Sequence, residues 1–190
     1  MKSPRTLPAL SFLLFSLPAS AHTGLPLGEG FASGLAHPFL GLDHLLAMVM
    51  VGLWAAQQHG VWQRLLPPLM FVAAMAAGGL MGEAGVPLPQ VETGIALSVL
   101  GLGLLTALAV RLPWRVGLLL IAVFALFHGH AHGTEMPMVA LWRYMSGFIL
   151  ATASLHTLGF FATTALPDGR WVRAAGLLTA FAGGHMLLGM

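Results

Sequence analysis

The chain has 190 residues, of which 57% are hydrophobic and only 7% charged, and its mean hydropathy is +0.86. A soluble domain of this size needs more polar surface, so the composition places the chain in lipid. Eight Lys and Arg stand against six Asp and Glu and are scattered singly, which implies no nucleic-acid site, and the absence of cysteine excludes disulfides, thiolate metal sites and cysteine nucleophiles.

At the N-terminus, Lys2 and Arg5 precede the apolar run Leu10 to Leu17, and Pro18-Ala19-Ser20-Ala21 ends in a small-x-small pattern. This is the outline of a cleavable signal peptide over residues 1–21, with an apolar region too short to span a bilayer. Residues 22–190 then form a single transmembrane domain whose mature N-terminus is His22. Six apolar stretches follow, at 36–56, 64–82, 93–110, 114–131, 139–165 and 172–189. Helical spans need about 20 apolar residues each, whereas membrane barrels use short alternating segments. The long unalternating runs therefore predict an all-α polytopic membrane protein, about six transmembrane helices in a compact bundle.

The connections are short, and arginine falls unevenly among them. Arg64 lies at the first, Arg111 and Arg115 at the third, and Arg170 and Arg173 at the fifth, while Glu83, Glu92 and Glu135 mark the second and fourth, with only Arg143 nearby, a few residues inside the fifth span. By the positive-inside rule the odd connections face the cytoplasm and both termini face the periplasm, which predicts a multi-pass protein of the bacterial inner membrane. Glycines pair at small-xxx-small spacing at Gly78/Gly82 and Gly129/Gly133, as in closely packed membrane helices. The 11 methionines are dispersed through apolar runs and read as lipid-facing or core filler.

Ionisable groups inside hydrocarbon need a partner, a cavity or a task. The first stretch carries His37-Pro38-Phe39-Leu40-Gly41-Leu42-Asp43-His44. Pro38 suits the first turn of a helix, which puts His37 at or just before the helix start. On a regular helix His37 and His44 then stand roughly 10 Å apart, too far to share an ion unless the chain breaks near Pro38. The fourth stretch ends Phe127-His128-Gly129-His130-Ala131-His132-Gly133-Thr134-Glu135. His128 and His132, at i and i+4, share a face at a spacing that lets two imidazoles hold one ion. Glu135 shares that side, and His130 points roughly the other way. His156 and His185 sit singly in later spans, where a lone histidine is more often a packing or hydrogen-bonding residue than a ligand, and His59 falls in a connection. Imidazole and carboxylate without thiolate suit borderline divalent ions such as nickel, cobalt and zinc. At the mouth, the amine and imidazole of His22 form a further candidate chelate.

These two segments, His37-Pro-Phe-Leu-Gly-Leu-Asp43-His44 with Met48 and Gly52 following, and Phe127 to Glu135, resemble the two signature segments of the HupE/UreJ family. The resemblance covers essentially the whole mature chain. It implies a small membrane permease for nickel, with cobalt as the second candidate, supplying hydrogenase or urease maturation. It also implies roles for His37, Asp43, His44, His128, His132 and Glu135, with His130 variable. The metal is then a transported substrate, with no permanently bound cofactor and no enzymatic activity. The lipid bilayer is the standing partner, and association into a homo-oligomer stays open. With no nucleotide-binding motif, the energy must come from the ion gradient, the membrane potential or coupled protons. The residues alone also admit an intramembrane haem or redox protein with histidine axial ligands, and a metallohydrolase, against which the His-Glu-x-x-His motif is absent.

Overall fold

The computed structural model describes residues 30–135, 141–165 and 168–190, without the side chains of Glu135 and Leu141. The expected signal peptide and His22 fall outside the described residues. Every regular element among the described residues is an α-helix: α1 (Phe31–Leu40), α2 (Leu42–Gln57), α3 (Val61–Glu83), α4 (Val91–Ala107), α5 (Trp114–Glu135), α6 (Leu141–Ala165) and α7 (Arg170–Leu188).

The first apolar stretch is two helices, bent by 86° at Gly41. This corrects the expectation that a helix starts at Pro38. The chain is already helical from Phe31, Pro38 lies inside α1, and His37 is in its last turn. Tertiary packing outweighs the local proline signal, because Gly34 brings α1 directly onto the Tyr144 backbone of α6. Pro38 lacks an N–H to continue the ladder, and α1 ends two residues later.

The other five stretches each coincide with one helix. Of these, Val61–Glu83, Trp114–Thr134 and Trp142–Ala165 are individually long and apolar enough to cross a membrane, and the bent α1–α2 pair qualifies when taken together. Length and composition thus give three spans, or four with the bent pair. Of the two helices beyond these, α4 has 17 residues, and α7 dilutes its apolar length with Arg170, Arg173 and His185.

Helix ends follow recognisable backbone chemistry. After α3, Gly85 takes a left-handed φ of 70°, and the Gly85 and Val86 amides donate back to the carbonyls of Gly82 and Met81, both at 3.0 Å. This is a Schellman closure, which glycine accommodates without strain. α4 closes in the same way through Ala109, at φ 49°, with Val110 donating to Leu105 at 2.9 Å. Each closure presents a carbonyl to a neighbouring helix. Val110 accepts from Trp54 Nε1 at 2.9 Å and Gln58 Nε2 at 3.2 Å, tying the end of α2 to the end of α4.

Glycine sets the helix–helix distances. A Cβ on Gly129 would run into the Met75 carbonyl, one on Gly133 into that of Gly79, and one on Gly78 into that of Leu126. The two small-xxx-small pairs read from the sequence therefore face each other, and α3 and α5 pack backbone to backbone. Comparable contacts join α2 to α6 through Gly52 and Gly159, and α4 to α7 through Gly103 and Gly176. α2 runs through the middle, with Ala47, Met48, Val51, Trp54 and Ala55 fully buried, while Leu69, Leu119, Leu158, Leu178 and Phe181 point outward. An apolar exterior of this kind is what lipid solvates.

Candidate functional site

The bend at Gly41 folds α1 back over the start of α2 and brings His37 to His44, their ring centroids 6.0 Å apart. Gly41 is there for space: its φ of −100° suits any residue, but a Cβ would stand 2.8 Å from Asp43 Oδ1 and 3.1 Å from His44 Nδ1. Asp43 Oδ1 accepts the His44 backbone N–H at 2.8 Å and the ring Nδ1–H at 2.7 Å. The carboxylate thus fixes the His44 tautomer and leaves Nε2 as a lone pair, the arrangement that carboxylate–histidine pairs adopt behind metal ions. His44 Nε2 is buried and has no hydrogen-bond partner among the described residues.

α5 brings the second group. The His132 ring lies 4.4 Å from those of both His37 and His44, and His128 lies 4.7 Å from His44. The i, i+4 pair therefore meets His44 as a third ring, and His37 joins His132 from above. His128 is fully buried and His132 is 2% exposed. The sequence reading missed Ser98 on α4. Its hydroxyl donates to the Ile95 carbonyl at 2.6 Å and lies 2.7 Å from His128 Nε2. With its single proton committed to Ile95, Ser98 accepts from Nε2–H, so the free lone pair of His128 is on Nδ1. No signal in the sequence marks that serine, because one hydroxyl in an apolar helix reads as packing.

His128 Nδ1, both ring nitrogens of His132 and His44 Nε2 are buried and find no hydrogen-bond partner among the described residues. A buried polar atom left unpaired costs about 1–3 kcal/mol, so these nitrogens are the atoms at the cluster with lone pairs or N–H groups to offer a ligand or water. Phe148 and Tyr144 of α6 flank His37, with Phe148 also 4.3 Å from His132, and keep the cluster in an apolar wall. Among the described residues no group of three or more His, Asp or Glu side chains is placed so that it could hold a metal ion. The arrangement is an open group of donors, not a cage.

The remaining expected residues fall elsewhere. His130 turns away from the cluster, and its Nε2–H donates to the Val86 carbonyl at 2.7 Å, bracing the turn after α3. Glu135 ends α5, with its side chain outside the described set, as is His22. His59 and His185 are exposed. His156 is buried on α6 and donates Nδ1–H to the Met48 carbonyl at 2.7 Å. A cleft lined by Trp54, Gln58, Trp62 and Trp114 lies at the opposite end of the bundle from the imidazoles.

The HupE / UreJ protein family matches residues 10–186 of the chain, a range that includes all of these histidines. The Protein HupE of Rhizobium leguminosarum bv. viciae is 43% identical over 196 aligned residues, covering 100% of both chains. No solved structure matches the chain.

Proposed function

Because the chain belongs to the HupE/UreJ family, we propose that it is a permease for a divalent transition-metal ion, nickel first and cobalt second. In this reading it carries the ion across the inner membrane toward hydrogenase or urease maturation, and it is a transporter rather than an enzyme. The observation that carries the reading is the convergence of His37, His44, His128 and His132 inside an apolar bundle, with four ring nitrogens that find no partner among the described residues.

Neutral imidazoles suit borderline divalent ions. Their openness suits transport, which needs enough donors to replace hydration and few enough to release the ion. His37, half-buried in the last turn of α1, meets the ion first. His44, held in one tautomer by Asp43, receives it with His132 and then His128, while the nearby carboxylate offsets its charge. Glu135 and His22 remain part of the proposal as mouth residues.

Metal-resolved uptake into proteoliposomes, comparing nickel, cobalt, zinc and iron, tests it. Wild-type protein is expected to accumulate nickel. His44→Ala is expected to lose uptake by roughly tenfold or more, and His130→Ala, whose side chain braces the α3 turn, to keep most of it. Wild-type protein that moves none of the four metals would refute the reading.

A further inference from the structure

His156 was read from the sequence as a lone membrane histidine, and the upper cluster does not use it. It is 3% exposed, lies in the middle of α6 and is two turns beyond Phe148, roughly 12 Å deeper along that helix. The Met48 carbonyl takes its Nδ1–H, so the lone pair is on Nε2, which is buried and has no partner among the described residues. One turn earlier on the same face, the Thr152 hydroxyl lies 3.3 Å from the Met48 sulfur and 3.9 Å from that of Met75. Thioether and imidazole together are a softer donor pair than the carboxylate-backed group above. The two levels are joined by Phe71, fully buried, whose ring centroid lies 5.8 Å from that of His128 and 5.1 Å from that of His156.

From this geometry we infer that His156 Nε2, one turn from the Thr152 hydroxyl on which the Met48 and Met75 sulfurs converge, is a second, inner station that takes the metal ion from the His44/His128 group past Phe71. The inference rests on the permease reading. It follows the same logic as the outer group, since a backbone carbonyl that takes one ring N–H fixes which nitrogen keeps its lone pair. A buried ring nitrogen that finds no partner among the described residues is a costly feature for a histidine with a packing role alone. At a single imidazole the ion is held loosely, as conduction between successive sites requires.

The test uses the full chain, purified and reconstituted, with Ni2+ as the probe. His156→Asn places an amide N–H where Nδ1–H stood, so the bond to Met48 can persist, but it removes the Nε2 donor. Nickel uptake is expected to fall by roughly tenfold or more, while nickel binding measured by equilibrium dialysis stays near wild type because the outer group is intact. His44→Ala, by contrast, loses binding and uptake together. Met48→Leu, close in volume, is a second variant that changes the sulfur without removing the ring, and it should lower uptake several-fold at unchanged thermal stability. If His156→Asn and Met48→Leu both transport at the wild-type rate per folded molecule, the inner station is overturned and the permease reading stands. A His156→Asn protein that loses binding as well as uptake overturns it too, because His156 then belongs to the outer site or to folding. Wild-type protein that moves no nickel overturns both.

Discussion

The Asp43 carboxylate acts on His44 twice, through the backbone amide and through the ring, and this fixes where one lone pair points. Asp43→Asn keeps an acceptor at that position but removes the charge that stabilises both the tautomer and an arriving cation. Nickel uptake is expected to fall by about 10- to 100-fold while the protein remains in the membrane, as quantitative immunoblotting of membrane fractions alongside uptake would establish. Wild-type uptake would reduce Asp43 to a packing role. Ser98 does for His128 what Asp43 does for His44, more weakly because a hydroxyl is neutral. Ser98→Ala is expected to lower uptake several-fold and leave His44-dependent nickel binding largely in place; equal loss with His44→Ala would show that the two imidazoles act as one ligand set. The residue types at the cluster were legible in the sequence, because a histidine or aspartate in hydrocarbon is conspicuous. Their orienting partners were not: Ser98 and the Met48 carbonyl become partners only through the packing of distant helices.

Between residue and fold, the decisive element is the bend. On a straight helix His37 and His44 are roughly 10 Å apart, and the sequence made their meeting conditional on a break near Pro38. The break is at Gly41, three residues on, and the rings come to 6.0 Å. A lone glycine in an apolar run is a weak breaker by itself; here the room it leaves for Asp43 and His44 selects it. The glycine seam between α3 and α5 was legible as spacing, though which pair faced which was not. Because that seam sets the position of His128 and His132, a methyl group on it should be felt at the site. Gly129→Ala is expected to destabilise by about 1–3 kcal/mol and to lower uptake, since its Cβ would meet the Met75 backbone. Gly184→Ala on α7, where nothing lies within 4 Å, is expected to change stability by less than about 0.5 kcal/mol. Thermal unfolding of the two variants in detergent, side by side, checks this, and equal midpoints would mean that the α3–α5 contact is loose enough to yield.

Across the whole molecule, the proposed orientation rests on where arginine falls, since exposed tryptophans stand at both ends, Trp142 beside Arg143 at the start of α6 among them. Trp62, Trp114 and Trp171 stand exposed at the starts of α3, α5 and α7. They accompany Arg64, Arg115, Arg170 and Arg173, and the Arg115 guanidinium lies 5.2 Å above the Trp114 ring. Tryptophan and arginine both favour the headgroup region, and arginine favours its cytoplasmic side. The imidazole cluster is at the other end, where α1 meets the end of α5 and the start of α6, so under the proposed orientation an ion entering from the periplasm would reach it first. Composition alone placed the chain in lipid, but it left the number of crossings to α4 and α7, the two helices that fall outside the length and hydropathy limits of a span. These helices pack on each other through Gly103 and Gly176, so α4 and α7 should cross together or not at all. With both crossing, reporters fused after Arg64, Arg111 and Arg170 are expected to read as cytoplasmic, and reporters in the 84–90 connection and at the C-terminus as periplasmic. If α4 did not cross, the connections on either side of it would report from the same compartment, and the stations from His37 to His156 would no longer lie along one inward path. The comparison of 84–90 with 108–113 is therefore the deciding measurement: opposite compartments support six crossings, and the same compartment refutes them.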